Sequence, residues 1–147
     1  MRRKYFFVIL FLILAIFLSG CSGGGTVTPS TNLTGNWTMT NSSSSGVTTS
    51  KCNIVDSSGS LTLYNFYIVN QEYINWNTGY GTFNNSSISA NISGSYINIF
   101  GSTVSTVVYF EGTINSSGIS GTGTWIQTNS VSGEIFTYSG NTIFIKG

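Results

Sequence analysis

Few side chains in this sequence are able to carry out chemistry. The chain contains no histidine, which removes the commonest general base and the commonest metal ligand. Its four carboxylates lie far apart, at Asp56, Glu72, Glu111 and Glu134. Glu111 alternates with the apolar positions of its predicted strand, so we expect it to face solvent rather than to join a catalytic pair. The sequence therefore predicts no catalytic residue, no metal site and no cofactor.

The two cysteines are the other reactive groups. Cys52 shares a strand face with Ile54, and a lone cysteine at such a position is usually a small buried hydrophobe. Its basic neighbour, Lys51, would point to the opposite face of the strand and so would not activate the thiol. Cys21 lies in a different setting, at the end of an apolar N-terminal segment.

The first 20 residues have the layout of a secretory signal peptide. Arg2, Arg3 and Lys4 precede an unbroken apolar run at residues 5–18, and small residues follow that run. A helix of this length rises about 21 Å, which is shorter than a bilayer core requires. The segment thus predicts a cleaved signal helix rather than a permanent membrane span.

The end of this segment is more specific. Leu18-Ser19-Gly20-Cys21 resembles the lipobox of bacterial lipoproteins at all four positions. The resemblance implies cleavage before Cys21, a thioether-linked diacylglycerol on its sulfur and acyl chains such as palmitate, which together anchor a protein firmly in a membrane. It also implies a cell-envelope location, in the outer membrane if the organism has two membranes, since Ser22 permits that sorting. The alternative is a plain signal peptide followed by a chance cysteine.

Removal of the signal would leave a tether and one domain. Residues 21–31 carry the lipidated cysteine and a flexible linker rich in Gly, Ser and Thr. Residues 32–147 are numerous enough for a single domain with its own core. The mature chain has two lysines and four acidic residues, a net charge of −2, so it lacks the basic surface that nucleic-acid binding requires.

Apolar residues recur with a period of two from Leu33 onward, which is typical of β-strands. No stretch favours a long helix, because β-branched residues, serine and glycine dominate. Short polar residues with glycine predict turns at 56–59, 94–95, 115–118 and 140–141. We therefore expect an all-β domain, an antiparallel up-and-down barrel or barrel-like sandwich of eight to ten strands. An immunoglobulin-like sandwich is the alternative, weakened by the lack of a cysteine pair.

The first predicted strand contains a short motif of its own. Gly35-Asn36-Trp37 looks like the first-strand Gly-x-Trp motif of the lipocalins and the wider calycin group, and the pattern recurs before Trp125. The resemblance implies a barrel whose first strand bends at the glycine and whose closed end is plugged by Trp37. Lipocalins usually cap this tryptophan with an arginine, whereas Lys146 is the only basic residue near the end of this chain.

One segment suggests a ligand contact. Tyr73, Trp76 and Tyr80 lie among amide side chains, and exposed aromatics beside amides bind sugars or peptides by stacking and hydrogen bonding. The alternative is that these aromatics belong to the core and the barrel rim.

Two functions from different classes fit these features best. The first is a non-enzymatic, lipid-anchored envelope protein that binds a small apolar ligand or a glycan. The second is a structural or adhesive surface module that binds other envelope proteins and has no ligand cavity. A hydrolase is the third and weakest candidate. A cavity lined by Trp37, Phe110 and Trp125 would favour the first function, and a filled core with an exposed aromatic patch would favour the second.

Overall fold

A computed structural model describes residues 31–147 of the chain. The predicted signal peptide, the lipobox with Cys21 and nearly all of the tether lie outside these residues. The described part contains nine β-strands and no helix. No helix long and apolar enough to cross a membrane was therefore found within residues 31–147.

The strands follow one another with short connections. Their bounds are β1 Gly35–Ser43, β2 Gly46–Ser57, β3 Ser60–Ile68, β4 Asn75–Trp76, β5 Gly79–Asn84, β6 Ser87–Ile97, β7 Thr103–Ile114, β8 Ser120–Val131 and β9 Glu134–Lys146.

The strands form a closed antiparallel barrel. Each long strand pairs with the next along the chain, β9 returns to pair with β1, and β6 pairs with β7 to complete the ring. The two-residue strand β4 pairs with β6 beyond the end of β5. It therefore continues the line of β5 in the barrel wall and is counted as a ninth strand. The predicted all-β up-and-down barrel is confirmed, and a closed ring is not an immunoglobulin-like sandwich.

The two ends of the barrel differ. The chain enters at what we call the closed end, where Leu33 is fully buried and accepts a 2.7 Å hydrogen bond from the indole Nε1 of Trp37. Lys146 stands opposite Trp37 in the β1–β9 register, and its Nζ donates to the backbone oxygen of Asn32 at 3.1 Å. The other end, which we call the mouth, carries the turns at 44–45 and 132–133 and the loops at 69–74 and 98–102.

The inner face is filled by apolar side chains toward the closed end. One continuous cluster includes Leu33, Trp37, Ile54, Leu61, Leu63, Phe66, Ile88, Ile92, Val108, Phe110, Ile114 and Phe144. Burying large apolar side chains contributes about 1.5–3 kcal/mol each, so this cluster is the main source of stability.

Two predicted turns are wrong. The pairs 94–95 and 140–141 lie inside the continuous strands β6 and β9, not at their ends. The glycines have another use there: a Cβ on Gly140 would collide with the backbone oxygen of Ser42, and one on Gly94 would lie 2.8 Å from the Trp76 ring. Glycine within a strand often marks such a close approach rather than a turn.

Strand β3 contains a bulge that settles an ambiguity in its sequence. Apolar residues occur on both of its faces, and the pairing with β2 shifts register between Lys51 and Asn53. Asn65 adopts a positive φ of 50° at this point. Because the extra residue changes the alternation, Leu63 and Phe66 both face the core.

Candidate functional site

The inner face gains polar residues toward the mouth, although Ile68, Ile74 and Val104 are also buried at that end. The buried polar residues of the described chain are Asn41, Ser50, Thr106 and Thr142, and all lie on inward positions of their strands. The amide Nδ2 of Asn41 donates to Ser50 Oγ at 2.8 Å.

A cavity of about 280 Å³ opens at the mouth. The β1–β2 hairpin tip borders it on one side, and Trp125, Gln127 and Tyr138 border it on the other. Tyr73 and Tyr96 complete the rim. The volume corresponds to about nine water molecules at liquid density and lies just below the usual range for drug-sized ligands. A single sugar ring or a molecule of similar size fits such a space.

Trp125 borders this cavity and carries an unpaired hydrogen-bond donor. The side chain is only 7% exposed, and its indole Nε1 is buried without a hydrogen-bond partner. Gly140 stands opposite Trp125 across the β8–β9 pair, and a Cβ on that glycine would lie 3.0 Å from the indole nitrogen. Because glycine has no side chain, the edge of the indole ring can pack closely against this position. An unpaired buried donor costs about 1–3 kcal/mol.

Two further unpaired groups lie on the neighbouring strands. The Oδ1 of Asn41 and the Oγ1 of Thr142 are both buried and without partners, and the two residues stand opposite each other in the β1–β9 register. Opposite residues in an antiparallel pair have Cα atoms about 4.5–5.5 Å apart. The interior thus leaves unpaired one indole donor, one amide oxygen that accepts and one hydroxyl that can donate or accept, although Asn41 and Thr142 do not line the cavity.

Polar and aromatic side chains complete the rim. The amide Nε2 of Gln127 donates to Asn129 Oδ1 at 3.1 Å and lies 3.4 Å from Thr106 Oγ1. Tyr73 and Tyr96 contact edge to face with centroids 5.2 Å apart. Burial, followed by the nearby Tyr73 and Tyr138 hydroxyls, raises the pKa of Tyr96, so its phenol remains a neutral donor. Aromatic faces and neutral donors are the groups that recognise carbohydrate rings.

The structure separates the three aromatics that the sequence suggested. Tyr73 lies on the cavity rim and is 60% exposed. Trp76 is half-buried and packs edge-on against Phe66 at 4.7 Å, and its Nε1 has no partner. Tyr80 lies on the outer face of β5, 61% exposed. Only Tyr73 borders the cavity.

The structure also separates the three residues that would have lined a ligand cavity, Trp37, Phe110 and Trp125. Trp37 and Phe110 are part of the packed core, whereas Trp125 borders the cavity. Sequence reasoning missed the other cavity residues Gln127 and Tyr138. One signal could have found Gln127: residues two apart in a strand lie on the same face, which places Gln127 beside Trp125.

A wider groove lies at the closed end. It measures about 1030 Å³ and runs between the turns at 57–60 and 84–87 and the segment 114–116, with Phe83 and Asp56 in its wall. Both oxygens of Asp56 are already used, because Oδ2 accepts from Leu33 N at 3.1 Å and Oδ1 from Gly59 N at 2.9 Å. Asp56 therefore holds the entering chain against a turn, and the other polar groups of the groove come from serine and asparagine side chains such as Asn84 and Asn85.

The remaining reactive side chains of the described residues do not form a metal-binding cluster or contain an activated thiol. Within residues 31–147, no three side chains among His, Cys, Asp and Glu lie close enough to hold a metal ion. Cys52 is buried and Lys51 exposed, which confirms the predicted faces of β2. Burial raises the pKa of the Cys52 thiol to about 12, so the reactive thiolate form is scarce. Glu111 is exposed, as its strand position predicted.

Comparison with protein-family models, with curated proteins and with solved structures gives no match for this chain. The fold and the cavity therefore carry the functional argument.

Proposed function

We propose that this chain is a lipid-anchored, non-enzymatic protein of the cell envelope that binds a small polar ligand of the glycan class in the mouth cavity. The observation that carries the proposal is the buried, unpaired indole N–H of Trp125, a residue that lines a cavity rimmed by tyrosines. Between the two ligand classes that the sequence suggested, the cavity favours the glycan. The apolar part of the interior is already filled by the protein's own side chains.

The position of the chain entrance supports the anchoring part of the proposal. Leu33 enters at the closed end, and Cys21 precedes it by 12 positions in the sequence. A lipid on Cys21 would hold the closed end near the membrane. The mouth, at the opposite end of the barrel, would then stay clear of the attachment point and open to a soluble glycan.

The binding test uses the three tryptophans as separate reporters. We expect glucose, galactose, N-acetylglucosamine or their β-linked disaccharides, titrated at millimolar concentration, to shift the indole N–H resonance of Trp125 in an NMR spectrum. Trp125→Phe removes the donor while keeping an aromatic ring, so affinity for the responding sugar should fall about tenfold, within the range expected for an unmade hydrogen bond.

Trp37→Phe is the matched control. It removes the 2.7 Å bond to Leu33 and should lower stability, but it leaves the cavity intact and sugar affinity unchanged. Native mass spectrometry of the protein purified from its own host is an independent test. If no sugar shifts Trp125 and the host protein carries no small molecule, the cavity is not a glycan site.

A structural or adhesive module is the second candidate. Ile99 and Phe100 at the mouth are 94% and 83% exposed, which is unusual for apolar residues in an ordered turn. Such side chains favour contact with another protein, and this candidate does not require the cavity to be occupied.

A further inference from the structure

We infer that the outer part of β9 is a self-complementary strand edge, through which two copies of this chain pair antiparallel with their barrel mouths facing each other. The inference does not depend on the glycan proposal, because it rests on backbone groups of the wall and on the rim.

Strand β9 is longer than the strand it closes against. Its pairing with β1 ends at Ser42 opposite Asn141, whereas its pairing with β8 continues to Glu134. Residues 134–140 therefore pair on one side only within the described chain, and residues 134–139 are all exposed. The β8–β9 hairpin extends past the β1–β2 tip, and we call its outer part, which stays paired with β7 as far as Ser130, the ribbon. The free β9 edge of this ribbon is about 20 Å long.

The hairpin turn shows which backbone groups face this edge. Ser132 and Gly133 have φ values of 52° and 87°, as in a two-residue type I′ turn. The flanking residues Val131 and Glu134 then form a hydrogen-bonded pair, and bonded pairs alternate along an antiparallel ladder.

By this alternation, the even-numbered residues of the ribbon bond to β8. The N–H and C=O groups of Ile135, Thr137 and Ser139 point to the free side. These six groups repeat along one line, and only another extended backbone matches that spacing.

The free edge is complementary to itself. A two-fold axis through Thr137 places Thr137 opposite its copy and Ile135 opposite Ser139 of the other chain, so all six free groups of each strand find partners. Phe136 then stands opposite Tyr138, an aromatic cross-strand pair that stabilises sheets. The two copies of Glu134 lie about 20 Å apart, beyond the screening length at physiological salt, and do not repel appreciably.

The edge lacks the devices that keep strand edges monomeric. It contains no lysine, no proline and no bulge, and its one charge lies at the turn. Exposed edges without such protection pair readily with other strands. A foreign strand would meet the same backbone groups, but the second copy is the occupant whose side chains match around Thr137.

The apolar rim supplies the rest of the interface. Antiparallel pairing places the second barrel beyond the tip of the first ribbon, so the two mouths face each other. Asn98 Oδ1 accepts from the N–H groups of Phe100 at 3.0 Å and Ser102 at 2.9 Å, which fixes the turn that displays Ile99 and Phe100. A short edge alone gives a weak interface, and burial of this rim enlarges it toward the size of a specific one.

The first test measures self-association of the mature chain from residue 21, made soluble by Cys21→Ser, by sedimentation equilibrium. We expect a concentration-dependent dimer. Thr137→Pro removes an N–H from the free edge without touching the β8 ladder, so the dimer should weaken at least tenfold. Thr137→Val, which keeps the N–H and the side-chain shape, should dimerise like the wild type. A protein that stays monomeric at millimolar concentration overturns the inference, as does a dimer unaffected by Thr137→Pro.

The second test uses the full-length protein in its own membrane. Paired residues on the two-fold axis have Cα atoms about 5.5 Å apart, within reach of a disulfide. Thr137→Cys should therefore cross-link two chains under mild oxidation. Thr124→Cys lies exposed on the outer face of β8, away from the edge, and should not. Buried Cys52 does not interfere. Equal cross-linking of both variants, or of neither, contradicts pairing through this edge.

Discussion

Trp125 lies at the boundary between the filled and the polar halves of the barrel. Its ring packs with the core and borders the cavity, and its buried indole nitrogen has no partner. The nitrogen of Trp37 is bonded to Leu33, whereas the nitrogen of Trp76 is also unpaired although its ring packs on Phe66. The indole nitrogen is therefore bonded at one site and unpaired at two others, and the difference is set by its neighbours.

Cys52 leads to a prediction about stability and pH. Burial raises the pKa of its thiol from 9.0 to about 12. The folded state thus holds this proton more tightly than the unfolded state, and the resulting stability is complete below about pH 9 and is lost as pH rises toward 12. The free energy of unfolding should fall more steeply with pH, by up to about 1.4 kcal/mol per pH unit, in the wild type than in Cys52→Ala.

Urea unfolding at a series of alkaline pH values measures this difference. Tyrosines also titrate in this range, but they are common to both proteins and cancel in the comparison. Parallel pH profiles for the wild type and Cys52→Ala would show that the thiol titrates normally.

At the scale of elements, glycines within strands determine how closely neighbouring strands and rings of the barrel approach one another. Gly140 lies where β9 passes β1, beside the oxygen of Ser42 and the indole of Trp125. Gly112 and Gly123 stand opposite each other, and a Cβ on Gly112 would lie 2.9 Å from the Phe144 ring. These positions are occupied by glycine because neighbouring strands or rings already fill the space of a Cβ.

Gly140→Ala tests this account. The added methyl group collides with the β1 backbone, which cannot move away without opening the β1–β9 pair, so we expect a loss of about 1–3 kcal/mol of unfolding free energy. Hydrogen exchange at Ser42 and Asn141 should accelerate more than exchange in β6. Ser139→Ala, an exposed substitution one residue away, is the control and should change stability by less than about 0.5 kcal/mol. Equal stability of both variants would contradict the close approach.

At the scale of the whole molecule, the fold places the chain entrance and the cavity at opposite ends. Leu33 is held at the closed end by Asp56, while Trp125, Tyr138 and the free edge of β9 lie toward the mouth. An anchor on Cys21 would therefore attach at the end opposite the cavity and the pairing edge, and two copies paired mouth to mouth would lie with their barrel axes along the membrane. This arrangement suits a protein that meets its ligand or its second copy at the membrane surface.

The anchor itself is tested by metabolic labelling with a clickable fatty acid. Cys21→Ala should abolish labelling and release the protein from the membrane fraction, because the lipid is the proposed attachment. Cys52→Ala should label normally, since that thiol is buried within the barrel. Persistent labelling of Cys21→Ala, or a mature N-terminus at another residue, would contradict the lipobox interpretation.

The sequence by itself determined the class of the fold, because a period of two and closely spaced turns leave few alternatives to a meandering antiparallel sheet. It also determined which chemistry is scarce, since the chain contains no histidine and only four carboxylates. The turns at 94–95 and 140–141 were misjudged because glycine marks both chain reversal and close packing, and sequence spacing does not separate the two.

Only the tertiary structure decided which residues share a site. Tyr73, Trp76 and Tyr80 are close in sequence but divided between the rim, the core and the outer wall. Trp125 and Tyr73 are distant in sequence but border one cavity, because closure of the barrel brings β8 and the 69–74 loop to the same end. The free edge of β9 was equally hidden, since it depends on where β1 ends relative to β8. Contacts between distant strands are set by register and closure, which no local pattern encodes.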